Sequence, residues 1–252
     1  MRIDKYMFLA LVLFTSSCIN VNKVHSDSKP IDHNIWNGIL KDYVDDNGAV
    51  NYQEIQKDSL RLNQYLKVVS SNHPNDKNWS KNEQLAYWIN AYNAFTVHLI
   101  IRNYPTESIR EIAGSIPFIN SAWDYEFIII ENHLYDLNDI EHGIIREYYP
   151  EPRTHFALVC AAKSCPILRN ESYEPETLQE QLQEQAVDFI NDKSKNTINN
   201  EVSEISKIFM WYNGDFNENM ELWEYLNKYS SIKLNETSEI DYVDYDWQLN
   251  DQ

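Results

Sequence analysis

Apolar residues recur at helical spacing over residues 31–45 (Ile35, Ile39, Leu40, Tyr43) and 58–71 (Leu62, Tyr65, Leu66, Val69). An Asp-Asn-Gly turn at 46–48 separates the two stretches, and Ala49 to Tyr52 reads as a short extended piece. The strongest periodic signal runs over 83–103, where Leu85, Trp88, Ile89, Tyr92, Phe95, Thr96 and Leu99 follow the i, i+3, i+4, i+7 pattern. Ser80 stands three residues before Glu83 in a capping-box arrangement, and Pro105 closes the segment. This is a core helix. Its adjoining face carries Asn90, Asn93, Val97 and Ile101. A buried amide must satisfy up to four hydrogen-bond positions, so the two asparagines either fasten irregular backbone nearby or line a site.

Beyond residue 120 the pattern changes. Residues 124–137 predict a β-hairpin turning at Glu131–His133, and 137–149 a helix capped by Asn138 or Asp139. The apolar run from Arg153 to Cys160 predicts a buried strand that delivers Cys160 to its C-terminal end. An amphipathic helix follows at 178–190, a second hairpin at 196–203, and helices at 206–211 and 218–229. The last eighteen residues hold six acids and no base, but Tyr242, Val243, Tyr245, Trp247 and Leu249 are interleaved, so this tail is expected to pack in part. The expected fold is a helix-rich α+β single domain over 31–252 with core motifs in 82–216. Its small central sheet is built from the hairpin near 124–137 and the strand near 153–160.

Composition narrows the function. With 39 acidic against 21 basic residues the formal net charge is −18, which excludes a basic footprint for nucleic acid. The five glycines (Gly38, Gly48, Gly114, Gly143, Gly214) are too scattered for a phosphate cradle or dinucleotide fingerprint, so no nucleotide is expected. At the amino terminus Arg2 and Lys5 precede the apolar run Tyr6–Phe14, then Thr15, Ser16, Ser17 and Cys18. About 20 apolar residues are needed to span a bilayer, so residues 1–17 read as a lipoprotein-type signal peptide with Cys18 as the lipid acceptor. Residues 18–30 read as a polar tether, and the domain as lipid-anchored in a bacterial cell envelope. Cleavage removes Arg2 and Lys5 against Asp4 alone, leaving the anchored chain one unit more acidic.

Several segments resemble one family: 82–100 (NEQLAYWINAYNAFTVHLI), 137–146 (LNDIEHGIIR), 153–169 (RTHFALVCAAKSCPILR) and 206–216 (SKIFMWYNGDF), with YDWQLN at 245–250. Together they are similar to the domain-of-unknown-function 547 family of bacterial secreted proteins, lipoproteins and plant proteins. That resemblance implies no activity. Matching positions include Asn90, Tyr92, Asn93, Asp139, Glu141, His142, Gly143, Arg153, His155, Cys160, Ser164, Cys165 and Pro166.

Three chemistries fit these residues. The foremost is a binding or envelope-associated module in which Cys160 and Cys165 form a structural motif, closed as a disulfide, and aromatics line a groove for a protein, peptide or glycan. In a cysteine-dependent hydrolase or acyltransferase, Cys160 or Cys165 is the nucleophile and His142 the general base. Asn90, Asn93 or Glu141 then orients the imidazole or stabilises an oxyanion, and Lys163 or Arg153 lowers the thiol pKa. His155 is five residues from Cys160, an odd separation that places the two on opposite faces of a regular strand. A thiol–disulfide redox role is the third reading, with four residues between the cysteines in place of the usual two. No standard paired metal spacing is present, so neither a metal nor another cofactor is expected.

Overall fold

The computed structural model describes residues 26–114 and 121–252. The leader, Cys18 and the first part of the tether lie outside the described residues. The helices are α1 (Asn34–Tyr43), α2 (Tyr52–Lys57), α3 (Ser59–Ser70), α4 (Lys81–Asn103), α5 (Ile109–Gly114), α6 (Arg146–Tyr148), α7 (Leu178–Asn191), α8 (Ile208–Trp211), α9 (Asn213–Phe216) and α10 (Leu222–Tyr229). The strands are β1 (Ile128–Ile130), β2 (His133–Tyr135), β3 (Val202–Ile205) and β4 (Glu239–Tyr242). The helix-rich α+β class is as expected.

α4 is the axis. Ser80 Oγ accepts from Glu83 N and Glu83 Oε2 accepts from Ser80 N, which closes the capping box. From Gln84 to Ile101 every residue except His98 is buried, because α2 and α3 pack on one side and the 139–159 stretch on another. The single apolar stripe of the sequence therefore underestimates how far the helix is enclosed.

The hairpin forms where expected. β1 and β2 pair antiparallel with Ile129 opposite Leu134. Its two turn residues, Glu131 (φ 46°) and Asn132 (φ 67°), are both left-handed, as a two-residue hairpin turn demands. The Glu131 carboxylate accepts from Ser26 Oγ (2.9 Å) and His73 N (3.2 Å), contacts that hold a residue ill-suited to that conformation. Ser28 is tied down as well: its carbonyl accepts from Asn75, Asn78 and Trp79 side chains. Ser26 and Ser28, in the last part of the expected tether, are thus fastened to the domain.

The buried strand at 153–160 does not form. Pro152–Phe156 is a 3₁₀ helix, with Pro152 in its first turn and the Glu151 side chain accepting from Arg153 N. Residues 157–160 then run through the core without a neighbouring strand. A continuous apolar run signals burial but not the element, and here α4 supplies the missing partners. Asn93 donates to Ala157 O (2.9 Å) and accepts from Val159 N (3.0 Å), in place of a ladder.

The hairpin expected at 196–203 shrinks to a bridge between Thr197 and Glu204, and β3 pairs in parallel with β4 from the acidic tail. After β4 the tail crosses the cysteine loop. Lys163 N donates to Gln248 O, Ser164 N to Asp246 O and Asn250 N to Ala161 O. Two hydrophobic clusters result. The larger surrounds α4; the smaller holds Phe156, Phe189, Phe209, Phe216 and Leu226 beneath α7 and α10. Among the described residues no helix is long and apolar enough to cross a membrane.

Candidate functional site

Six separate parts of the chain converge on one cavity of about 180 Å³. α4 contributes Tyr92. Trp123 comes from a single 3₁₀ turn at Ala122–Asp124, and Glu141 and His142 from a π-helix, Asp139–Ile145. The 153–166 stretch adds His155, Cys160 and Cys165, while α8 and its C-cap add Trp211 and Tyr212. The tail supplies Tyr245 and Trp247. A π-helix is rare and tends to occur at functional sites. Here it lets the adjacent Glu141 and His142 face the same cavity, which the roughly 100° step of an α-helix opposes.

Glu141 is buried and fully engaged. Its Oε2 accepts from Tyr92 OH at 2.8 Å and its Oε1 from Tyr212 OH at 2.5 Å. Burial and then the nearby Glu141 carboxylate push both phenols well above their ordinary pKa, so they stay protonated as donors. Trp123 Nε1 donates to Tyr92 OH at 3.2 Å, extending the chain to the rim.

Beside it lies a charged cluster. Asp215 Oδ2 binds His155 Nε2 and Arg146 Nε, each at 2.7 Å, and Oδ1 accepts from Arg146 Nη2. The His155 bond is the chief cause holding the Asp215 carboxyl below the usual range; burial opposes it and Arg146 assists. His155 stacks on Tyr212 with ring centroids 3.9 Å apart, and Arg146 Nη1 is 3.0 Å from His142 Nδ1. Neither imidazole is hydrogen-bonded to a cysteine sulfur. The Cys–His couple expected of a cysteine hydrolase is therefore not assembled; His155 is committed to Asp215 and His142, exposed at the rim, to Arg146.

Cys160 and Cys165 stand side by side as free thiols. Cys160 Sγ and Cys165 Sγ are 2.7 Å apart, Cys160 N donates to Cys165 Sγ at 2.8 Å, and Tyr245 OH lies 3.2 Å from Cys160 Sγ. Burial works against ionising Cys165, and the bonds donated by Cys160 outweigh it, so its pKa falls. For Cys160, burial and its proton's engagement with Cys165 both push the pKa up. Ala161, next in the loop, sits at φ 58°, a left-handed conformation unusual for a residue with a Cβ, and its carbonyl accepts from the tail.

The other predicted positions lie elsewhere. Asn90 clamps the backbone of Tyr173, donating to its carbonyl and accepting from its N–H, as Asn93 does for 157–159. Each amide makes two bonds to loop backbone and neither lines the cavity. Arg153 is bound to Glu151 and Gln179, away from both cysteines. Lys163 points outward to Gln248. Among the described residues no group of three or more His, Cys, Asp or Glu side chains is placed to hold a metal.

Residues 76–190 match the family described as protein of unknown function, DUF547. The DUF547 match contains Tyr92, Glu141, His142, His155, Cys160 and Cys165. Tyr212, Asp215, Tyr245 and Trp247 lie beyond it. No curated protein and no solved structure matches the chain. Sequence reasoning missed Asp215, Arg146, Tyr212 and Tyr245 as site residues. The only signal for them was their place in or beside the 137–146, 206–216 and 245–250 segments, whose residues meet only through long-range folding.

Proposed function

We propose that this is a lipid-anchored binding module of a bacterial cell envelope, and that its ligand, a peptide or glycan, enters the cavity between Trp211, Trp247 and Trp123. One observation carries the binding reading. Trp211 is 43% exposed, stacks on Trp247 at 5.8 Å and meets Tyr245 at 4.9 Å, so a wall of large rings is presented to solvent at a concave site. Such rings offer apolar faces with polar heads, a surface suited to sugar rings and to peptide side chains. The buried Glu141–tyrosine chain behind them fixes the wall and leaves polar groups at the inner end. The envelope reading is supported by the short apolar leader and Cys18.

Binding is tested by titrating the purified chain with envelope glycans and peptides while following tryptophan fluorescence. Saturable quenching that disappears in Trp211→Ala and Trp247→Ala, with unchanged circular dichroism, is expected. Quenching that survives both changes would place the ligand elsewhere. The anchor is tested separately by labelling bacterial cells producing the chain with a fatty-acid analogue, which Cys18→Ser should abolish.

A further inference from the structure

We propose that Cys160 and Cys165 are a reversible dithiol–disulfide couple in the wall of this cavity, exchanging with a dithiol peptide held against Trp211 and Trp247. The substrate class rests on reading the cavity as a ligand site. The couple itself rests on four features of the loop.

The sulfurs are already adjacent at 2.7 Å, so closure needs little movement. They differ in access: Cys165 is 4% exposed, whereas Cys160 is less deeply buried at the cavity, which makes Cys160 the sulfur an incoming group can reach. The Cys160 N–H points at Cys165 Sγ, a fixed donor where negative charge develops if Cys165 is the leaving group. The tail holds the loop from outside through Ala161, Lys163 and Ser164, so the geometry survives the breaking of the bond.

In the oxidised protein a substrate thiolate attacks Cys160 Sγ. The Cys160–Cys165 bond breaks and its electron pair leaves on Cys165 Sγ, received by the Cys160 N–H. A second substrate thiolate then attacks the substrate sulfur of the mixed disulfide and expels Cys160. Substrate leaves as a disulfide, having lost two electrons and two protons; the protein gains both and reaches the dithiol seen in the structure. A small disulfide such as oxidised glutathione restores the starting state by the reverse exchange.

The full chain is equilibrated in mixtures of reduced and oxidised glutathione, and each cysteine is read by alkylation and peptide mass, which keeps Cys18 separate. The expected result is a Cys160–Cys165 bond whose fraction follows the glutathione ratio from both directions. In Cys165→Ser, Cys160 should form a glutathione mixed disulfide at least about tenfold faster than Cys165 does in Cys160→Ser, as access dictates. A pair that stays thiol in oxidised glutathione, or stays bonded under a large excess of reduced glutathione, overturns the couple. Equal rates in the two single variants overturn the assignment of Cys160. The cavity reading is scored separately by fluorescence on the Cys160→Ser/Cys165→Ser double variant. Quenching without exchange leaves the module and removes the couple, and exchange indifferent to Trp211→Ala does the opposite.

Discussion

Two aromatic clusters flank His155 and Tyr212, and they are built from different rings. On one side Phe156, Phe189, Phe209 and Phe216 pack with centroids 5.0–6.1 Å apart, and all four are at most 4% exposed. On the other, Trp123, Trp211, Tyr245 and Trp247 lie at similar spacings, 4.6–5.9 Å, yet remain partly open to solvent. Phenyl rings carry no polar atom and lose nothing by complete burial, whereas indole N–H and phenol O–H groups need partners or water. Ring density is alike; the closed cluster is built on phenyl rings and the open one carries polar heads.

Cutting into the closed cluster should have the largest effect. Phe209→Ala is expected to destabilise by about 3–5 kcal/mol, measured by chemical denaturation, because a phenyl-sized cavity opens among rings that cannot collapse. A loss below about 1 kcal/mol would mean that the cluster is not packed as described.

Acid should weaken the fold from the scaffold side next. Burial of His33, and partial burial of His98 with Arg102 beside it, lower both to about 4, against about 6.5 in an unfolded chain. As pH falls from about 6.5 the unfolded chain takes up protons first, so stability contributed by the neutral imidazoles is lost progressively toward pH 4. Thermal melts should show this limb, and His33→Gln should flatten it. An unchanged limb in that variant would rule His33 out as a source.

Between the two clusters, Asp215→Asn removes the carboxylate that binds Arg146 and His155 together. The pair is partly solvated, so a cost of about 1–2 kcal/mol is expected. The readout specific to this link is loss of the His155 Nε2–Asp215 hydrogen bond, seen by NMR as a moved His155 ring nitrogen resonance. Smallest in stability, and largest in binding, should be Trp211→Ala: within about 0.5 kcal/mol of the parent by melting, with the fluorescence response to ligand gone. If instead it destabilises like Phe209→Ala, the contrast between the clusters fails.

Much of the scaffold was legible in the chain. α1, α3, α4 and α7 fall within a few residues of their periodic segments, since helix periodicity is a local signal written every three or four residues. The hairpin at 128–135 lies within the stretch expected at 124–137 and turns where the sequence placed its turn. The error at 153–160 has a definite cause. Its apolar run reports that the segment is buried, but whether buried backbone finds its hydrogen bonds in a sheet or on asparagine side chains depends on what packs beside it. Asn93, read correctly as an amide in need of partners, was the residue that supplied them.

The site divides in the same way. Cys160, Cys165, His142, His155 and Glu141 were singled out as candidates to carry chemistry, and all five line one cavity. Their pairings were not readable. His155 finds Asp215 sixty residues on and Cys160 meets Tyr245 eighty-five residues on, separations at which sequence spacing carries no geometric information. Local periodicity and functional groups sufficed for the longer helices, one buried face of α4 and the side chains that carry chemistry. Only the tertiary structure decided that the acidic tail would cross the cysteine loop and seat Tyr245 and Trp247 in the cavity wall. That closure is made by backbone hydrogen bonds to Ala161, Lys163 and Ser164, and a backbone N–H or carbonyl looks the same at every position in the chain.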